Sequence, residues 1–182
     1  MIRLFTALEI PDEVADRLIQ LQTGLHGARW IEREAFHITL RFIGEVAEDV
    51  AADIDKALEE EGAADAFELH LSGVGQFGNK HPHALWAGVA PNPALSALQT
   101  AHERLMRKTG LAPETRTYKP HVTLARLKNI EPEPVWRYIE TNNLFESLPF
   151  KVWRVGLFSA RLKGGGPYRL ERVYPVLGSK HT

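Results

Sequence analysis

Apolar residues fill the chain from Ile2 to Ile10, a stretch whose composition predicts a strand. Pro11-Asp12-Glu13 then opens a segment in which Val14, Leu18, Leu21 and Leu25 recur at helical spacing, with Pro11 near the first turn, where proline is tolerated. FHITLRFI alternates strictly between polar and apolar positions, a strand that Gly44 is expected to stop. An Ala-rich, acidic helix is predicted over Glu48 to Glu61, closed by Gly62. Phe67 to Val74 and Leu85 to Val89 read as paired strands joined by the loop GQFGNKHPHA. Pro93 to Lys108 carries Leu95, Leu98, His102, Leu105 and Met106 on one side of a helix that Gly110 ends. A second short alternating strand runs from His121 to Leu127, and Pro132-Glu133-Pro134 opens a helix through Glu140. Pro149 to Ser159 and Tyr168 to Val176 form a last strand pair, with Lys163-Gly164-Gly165-Gly166-Pro167 turning between them.

The resulting order is strand, helix, strand, helix, strand pair, then helix, strand, helix, strand pair. Its two halves rhyme, and the hairpin-length links favour antiparallel or mixed sheets over a doubly wound parallel one. The fold class expected is α+β.

Composition narrows the picture further. The chain has 182 residues, 44% apolar and 25% charged, enough for one well-buried core. With 22 basic and 23 acidic residues, a broad electrostatic surface for duplex DNA or an anionic membrane is not supported, so any nucleic-acid contact should be local. The absence of cysteine removes disulfides, thiolate catalysis and cysteine metal sites together. The start lacks a basic segment followed by a long apolar one, and nowhere do eighteen apolar residues run together. A cytoplasmic, unanchored protein is expected, and a monomer, since no heptad seam is present.

The chemistry sits in a phrase written twice. FHITLRFIG at Phe36 to Gly44 and PHVTLARLK at Pro120 to Lys128 share H-x-T-L. Alternation places His37 and Thr39 on one face of their strand, with Ile38 and Leu40 on the other, and does the same for His121 and Thr123 against Val122 and Leu124. One histidine on a strand is more often structural, and threonine is simply a good strand former. A pair changes this: shuffling 8 His, 10 Thr and 22 Leu gives about 0.05 copies per chain, so chance duplication is on the order of one in a thousand. Two imidazoles facing one cleft suit a phosphodiester, one neutral ring taking a proton from attacking water while a protonated partner gives one to the departing oxygen. The threonine hydroxyls can donate to phosphate oxygens, and a nearby arginine can neutralise charge. Neither metal nor cofactor is required.

Other readings compete. His70, His81 and His83 cluster in sequence, but no acidic residue or cysteine at a recognised spacing completes a zinc set. Gly164 to Gly166 precedes a strand rather than opening a helix, so it reads as a turn and not a phosphate cradle. His102, on an apolar helix face, reads as packing.

LFTALEIP, WIEREAFHITLRFIG, LWAG, YKPHVTLAR and the closing YRLERVYP together resemble the RNA 2',3'-cyclic phosphodiesterase family, also called 2'-5' RNA ligase, of the two-histidine (2H) phosphoesterase superfamily. The resemblance covers essentially the whole chain and implies one domain over residues 1–182. That domain would consist of two intertwined lobes related by a pseudo-two-fold axis, each an antiparallel sheet backed by helices, with both motifs in the cleft between them. It implies His37 as proton donor and His121 as proton acceptor, Thr39, Thr123 and Arg126 on the phosphate, and Phe42 stacked on a base. Phe42 and Arg126 both stand five residues after their histidines. Simple alternation would put them on the opposite face, so each strand must end or bulge just after Leu for the roles to carry over. Arg41, on the face of His37 by alternation, is the rival cation.

The activity so implied is metal-free hydrolysis of an RNA terminal 2',3'-cyclic phosphate to a 2'-phosphate, tRNA fragments being among the candidate substrates. With a 5'-hydroxyl end in the water's place, the same geometry makes a 2'-5' linkage. Alternatives are an esterase for small cyclic nucleotides, a non-catalytic RNA-end reader, and a metal-dependent hydrolase.

Overall fold

A computed structural model describes residues 1–61, 65–161 and 167–176. In chain order its elements are β1 (Ile2–Glu9), α1 (Asp12–Leu21), β2 (Arg29–Trp30), a 3-10 turn (Arg33–Ala35), β3 (His37–Val46), α2 (Glu48–Glu61), β4 (Phe67–Leu69) and β5 (Leu71–Phe77). They continue with β6 (Ala84–Val89), α3 (Pro93–Lys108), β7 (His121–Arg126), α4 (Pro132–Asn142), β8 (Phe150–Val152), β9 (Arg154–Ala160) and β10 (Arg169–Pro175). Gly62 and the turn at Gly164 to Gly166 lie outside the described residues.

Among the described residues the strands form two four-stranded sheets, in the orders β10-β9-β1-β3 and β2-β7-β6-β5, and a two-stranded ribbon of β4 with β8. Every pairing is antiparallel, so the fold class is α+β. The two halves of the chain are exchanged. The β5–β6 pair of the first half joins β7 of the second, the β9–β10 pair of the second half joins β1 of the first, and the β4–β8 ribbon links the two halves.

Two hydrophobic clusters back the sheets. Ile54 and Leu58 of α2, with Leu105 and Met106 of α3, cover Leu4, Val46, Leu157 and Tyr174 of the first sheet. Leu18 and Leu21 of α1 and Val135 and Tyr138 of α4 pack with Val122, Leu124 and Leu85 of the second sheet, in a cluster that also takes in Ile38 and Leu40. Asn92 caps α3, its side-chain oxygen accepting from Leu95 N–H at 3.1 Å. His102 is buried as expected, its Nδ1 3.3 Å from Thr6 Oγ1.

Three expectations need correction. α1 ends at Leu21 rather than reaching Leu25, because Gln22 leaves the helical region and Gly24 turns at φ +81°; Leu25 is buried all the same. Gly44 does not stop its strand: β3 runs on to Val46, with Gly44 at φ +88° beside a bulge at Ile43. The strands expected over Phe67 to Val74 and Pro149 to Ser159 each break in two, because β4 and β8 pair with each other instead of continuing in the large sheets.

Candidate active site

The two H-x-T-L phrases occupy β3 and β7, whose backbones approach each other where the sheets meet. Tyr118, just ahead of β7, ties them together by donating its hydroxyl to Thr39 O at 2.8 Å.

Register settles which face each side chain takes. Opposite β3, Glu9 pairs with His37 and Ala7 with Thr39, but the next pair is Thr6 with Arg41, leaving Leu40 unpaired. Opposite β7, Gly88 pairs with His121 and Trp86 with Thr123, and the next pair is Leu85 with Ala125, leaving Leu124 unpaired. Both strands therefore bulge at the leucine of H-x-T-L, and two consecutive residues are buried in each, Leu40–Arg41 and Leu124–Ala125. The slip of one residue returns Phe42 and Arg126 to the face of the histidines. Phe42 lies across from Phe5, whose ring centroid is 5.0 Å from that of His37, and is 47% exposed.

The same slip removes Arg41 from the site. It is 7% exposed, with Nε 2.5 Å from Glu103 Oε2 and its remaining nitrogens donating to Phe42 O and Ala112 O. Alternation had placed Arg41 beside His37; the bulge turns it into the packing between β3 and α3. Arg126, by contrast, makes no ion pair among the described residues and its charge is felt at His37.

Each imidazole is fixed in the same way. His37 Nδ1 lies 2.7 Å from Ala35 O, and His121 Nδ1 lies 2.7 Å from Lys119 O. A carbonyl only accepts, so Nδ1 carries the proton in both rings and Nε2 is left for chemistry. His37 Nε2 is 3.0 Å from Thr39 Oγ1. Burial holds the pKa of His37 below its ordinary value against the Ala35 hydrogen bond, and the charges of His121 and Arg126 push the same way. Burial, with the Lys119 charge, does this for His121. His37 thus feels the charges of both His121 and Arg126; Thr123 shares the face of His121 by register.

Aromatic walls surround both rings. Phe5 and Tyr168 pack on His37, the latter edge-on at 5.3 Å. Phe77 meets His121 edge-on at 4.9 Å, Trp86 lies at 6.1 Å, and the Lys119 ammonium sits 4.8 Å from the Trp86 ring. A cavity of about 310 Å³ opens beside His37, lined by Glu9, Arg33, Phe36, Phe158 and Tyr168 among others. A larger one of about 460 Å³ between the end of α1 and α4 holds none of the motif residues. Sequence reasoning assigned no role to Phe5, Phe77, Trp86, Lys119 or Tyr168, although four of them fall within the family-like phrases. Among the described residues, no three His, Asp or Glu converge as a metal site, and His70, His81 and His83 do not form one. None of the described helices is long and apolar enough to cross a membrane.

Comparison with known proteins shows the family and the fold. An RNA 2',3'-cyclic phosphodiesterase from Aeropyrum pernix is 41% identical over 149 residues, 81% of this chain and 82% of that one. One from Archaeoglobus fulgidus is 32% identical over 72% of this chain and 76% of its own length. The fold is shared with the crystal structure of TT0787 from Thermus thermophilus, at TM-score 0.80, 24% identity and 98% and 100% coverage of the two chains. It is also shared with Escherichia coli LigT crystallised with 3'-AMP, at TM-score 0.77, 19% identity and 96% and 98% coverage. The family described as the 2'-5' RNA ligase superfamily matches residues 10–164, and the chain belongs to it.

Proposed function

We propose that this chain is an RNA 2',3'-cyclic phosphodiesterase that opens a terminal 2',3'-cyclic phosphate to a 2'-phosphate. The observation that carries the reading is the pair of Nδ1-anchored imidazoles on twin bulged strands. Each presents Nε2 on the face that its bulge restores to Phe42 or Arg126.

In this mechanism His121 Nε2 takes a proton from water as its oxygen attacks phosphorus, and His37 Nε2 returns a proton to the 3' oxygen as the P–O3' bond breaks. Thr39 and Thr123 donate to the non-bridging oxygens, and Arg126 offsets the charge that builds on them. Phe42 offers an exposed ring to the terminal base. The strained five-membered ring supplies the driving force. Attack by a 5'-hydroxyl end in place of water, with the P–O3' bond breaking in the same way, gives the 2'-5' linkage, and the reverse step restores the cyclic phosphate. The residues 1–182 act as one domain and as a cytoplasmic monomer, with fragments such as cleaved tRNA as substrates.

The test is incubation of EDTA-treated protein with a short RNA ending in a 2',3'-cyclic phosphate, with the two monophosphate products resolved. Exclusive 2'-phosphate is expected. Release of 3'-phosphate would reverse the leaving group, and dependence on added metal would replace the two-histidine mechanism.

A further inference from the structure

Arg126 has a neighbour to which the histidine chemistry gives no task. β2 consists of Arg29 and Trp30 alone, and it pairs with β7 so that Arg29 stands directly opposite Arg126. Direct cross-strand partners leave a sheet on the same face, with Cβ atoms about 5 Å apart, and like charges so placed repel. Both guanidinium groups are on exposed residues, and neither makes an ion pair with a carboxylate among the described residues. Two arginines held in register without a counter-charge are an arrangement that an anion completes.

The placement is also rigid. Trp30, on the opposite face, packs against Tyr138 at 6.3 Å between ring centroids. Ile31 N–H donates to Leu124 O at 2.9 Å, and the Gln22 amide donates both to Ile31 O at 2.7 Å and to Leu124 O at 3.1 Å. Leu124 is the bulged residue of β7, so the contacts that hold β2 in place are also those that satisfy the bulge presenting Arg126.

We infer that Arg29 and Arg126 form a second anion site, which takes the internucleotide phosphate on the 5' side of the terminal nucleotide and so selects an RNA chain over a mononucleotide. The inference rests on the cyclic phosphodiesterase reading. Arg126 then faces the cyclic phosphate and its neighbour, while Arg29 contacts only the neighbour. A bidentate guanidinium suits a phosphodiester, whose two free oxygens match the fork.

The experiment compares Arg29→Ala and Arg29→Lys with wild type on two substrates, a nucleoside 2',3'-cyclic phosphate and a tetraribonucleotide ending in one. Arg29→Ala should lose about tenfold in kcat/KM on the tetranucleotide, through KM rather than kcat, and Arg29→Lys should recover most of it. The ratio of tetranucleotide to mononucleotide kcat/KM should fall by the same factor. An equal loss on both substrates, or none on either, overturns the proposal. A second readout needs no turnover. Anisotropy of a labelled tetranucleotide with a 2'-phosphate end should show a salt dependence of log K shallower by about 0.7 in Arg29→Ala, the share of one phosphate contact on a single strand. An unchanged slope with an unchanged melting curve also overturns it. If the wild type turns over neither substrate, the activity reading fails, and the salt slope still decides whether Arg29 holds a phosphate.

Discussion

His37 and His121 are anchored alike: each donates Nδ1–H to the backbone carbonyl two residues earlier, at 2.7 Å in both cases. The geometry specifies a tautomer with a backbone carbonyl as the acceptor behind each ring. In the neutral protein both imidazoles should therefore show the Nδ1–H form by nitrogen NMR. His37→Ala and His121→Ala should each lower turnover by about 10² to 10⁴, the range for a general acid or base. Full activity in either variant would remove that residue from the proton transfers.

The pH dependence follows from the two depressed imidazoles. In the free enzyme the base must be neutral and the acid protonated, so kcat/KM rises with pH through the acceptor's pKa and falls through the donor's. Burial first, then neighbouring positive charge, holds both below the ordinary histidine value. The bell should therefore lie below about pH 6.5 and already be descending at neutrality, its limbs belonging to the coupled pair. Arg126→Gln removes one of the charges that disfavour His37 protonation, so its alkaline limb should move to higher pH while the rate falls. A limb that stays in place or moves down would show that Arg126 does not act on His37.

Particular residues show what the sequence could and could not disclose. Ile38, Leu40, Val122 and Leu124 are buried where alternation puts them, and the duplicated phrase leads straight to the pair of histidine strands. Alternation fails at Arg41 because it assumes that one residue opposes one, and the unpaired leucine breaks that count in both repeats. The failure is informative, since the bulge is what makes the roles of Phe42 and Arg126 sterically consistent. The aromatic walls were out of reach for another reason. Phe5 and Tyr168 meet at His37 only because β9 crosses to β1 and carries β10 with it, a pairing that no local pattern encodes.

Arg41 and Arg126 should separate cleanly by experiment. Arg41 is shielded with Glu103, whose side chain is 15% exposed, and removing one partner of a buried pair strands the other's charge at a cost of about 3 to 5 kcal/mol. Glu103→Ala should thus lower the urea midpoint by an amount of that order while leaving kcat/KM nearly intact at temperatures where the variant stays folded. Arg126→Ala should do the opposite, losing activity with little change in midpoint. Loss of activity in fully folded Glu103→Ala would return Arg41 to the site as a cation that acts on substrate.

Gly75 offers the sharpest test of the aromatic wall around His121. Its cross-strand partner is Trp86, and a Cβ added at Gly75 would stand 2.4 Å from both Cη2 and Cζ2 of the indole. Two non-bonded carbons do not tolerate that distance, so the ring must tilt away from β5. Trp86 sits 6.1 Å from His121 and under the Lys119 ammonium, both of which move with it or lose their support. Gly75 has no left-handed backbone requirement, so Gly75→Ala strains the packing and not the strand. The expected result is a melting temperature lower by a few degrees, in line with about 1 to 3 kcal/mol of overpacking. A larger proportional loss should appear in kcat/KM, together with a displaced His121 titration. Gly88, which faces His121 directly, makes a poorer probe because a Cβ there meets the Ser72 carbonyl at 2.7 Å, and a clash with backbone threatens the sheet itself. If Gly75→Ala melts lower but titrates and turns over like wild type, the indole is packing alone and the wall at His121 has no part in setting its chemistry.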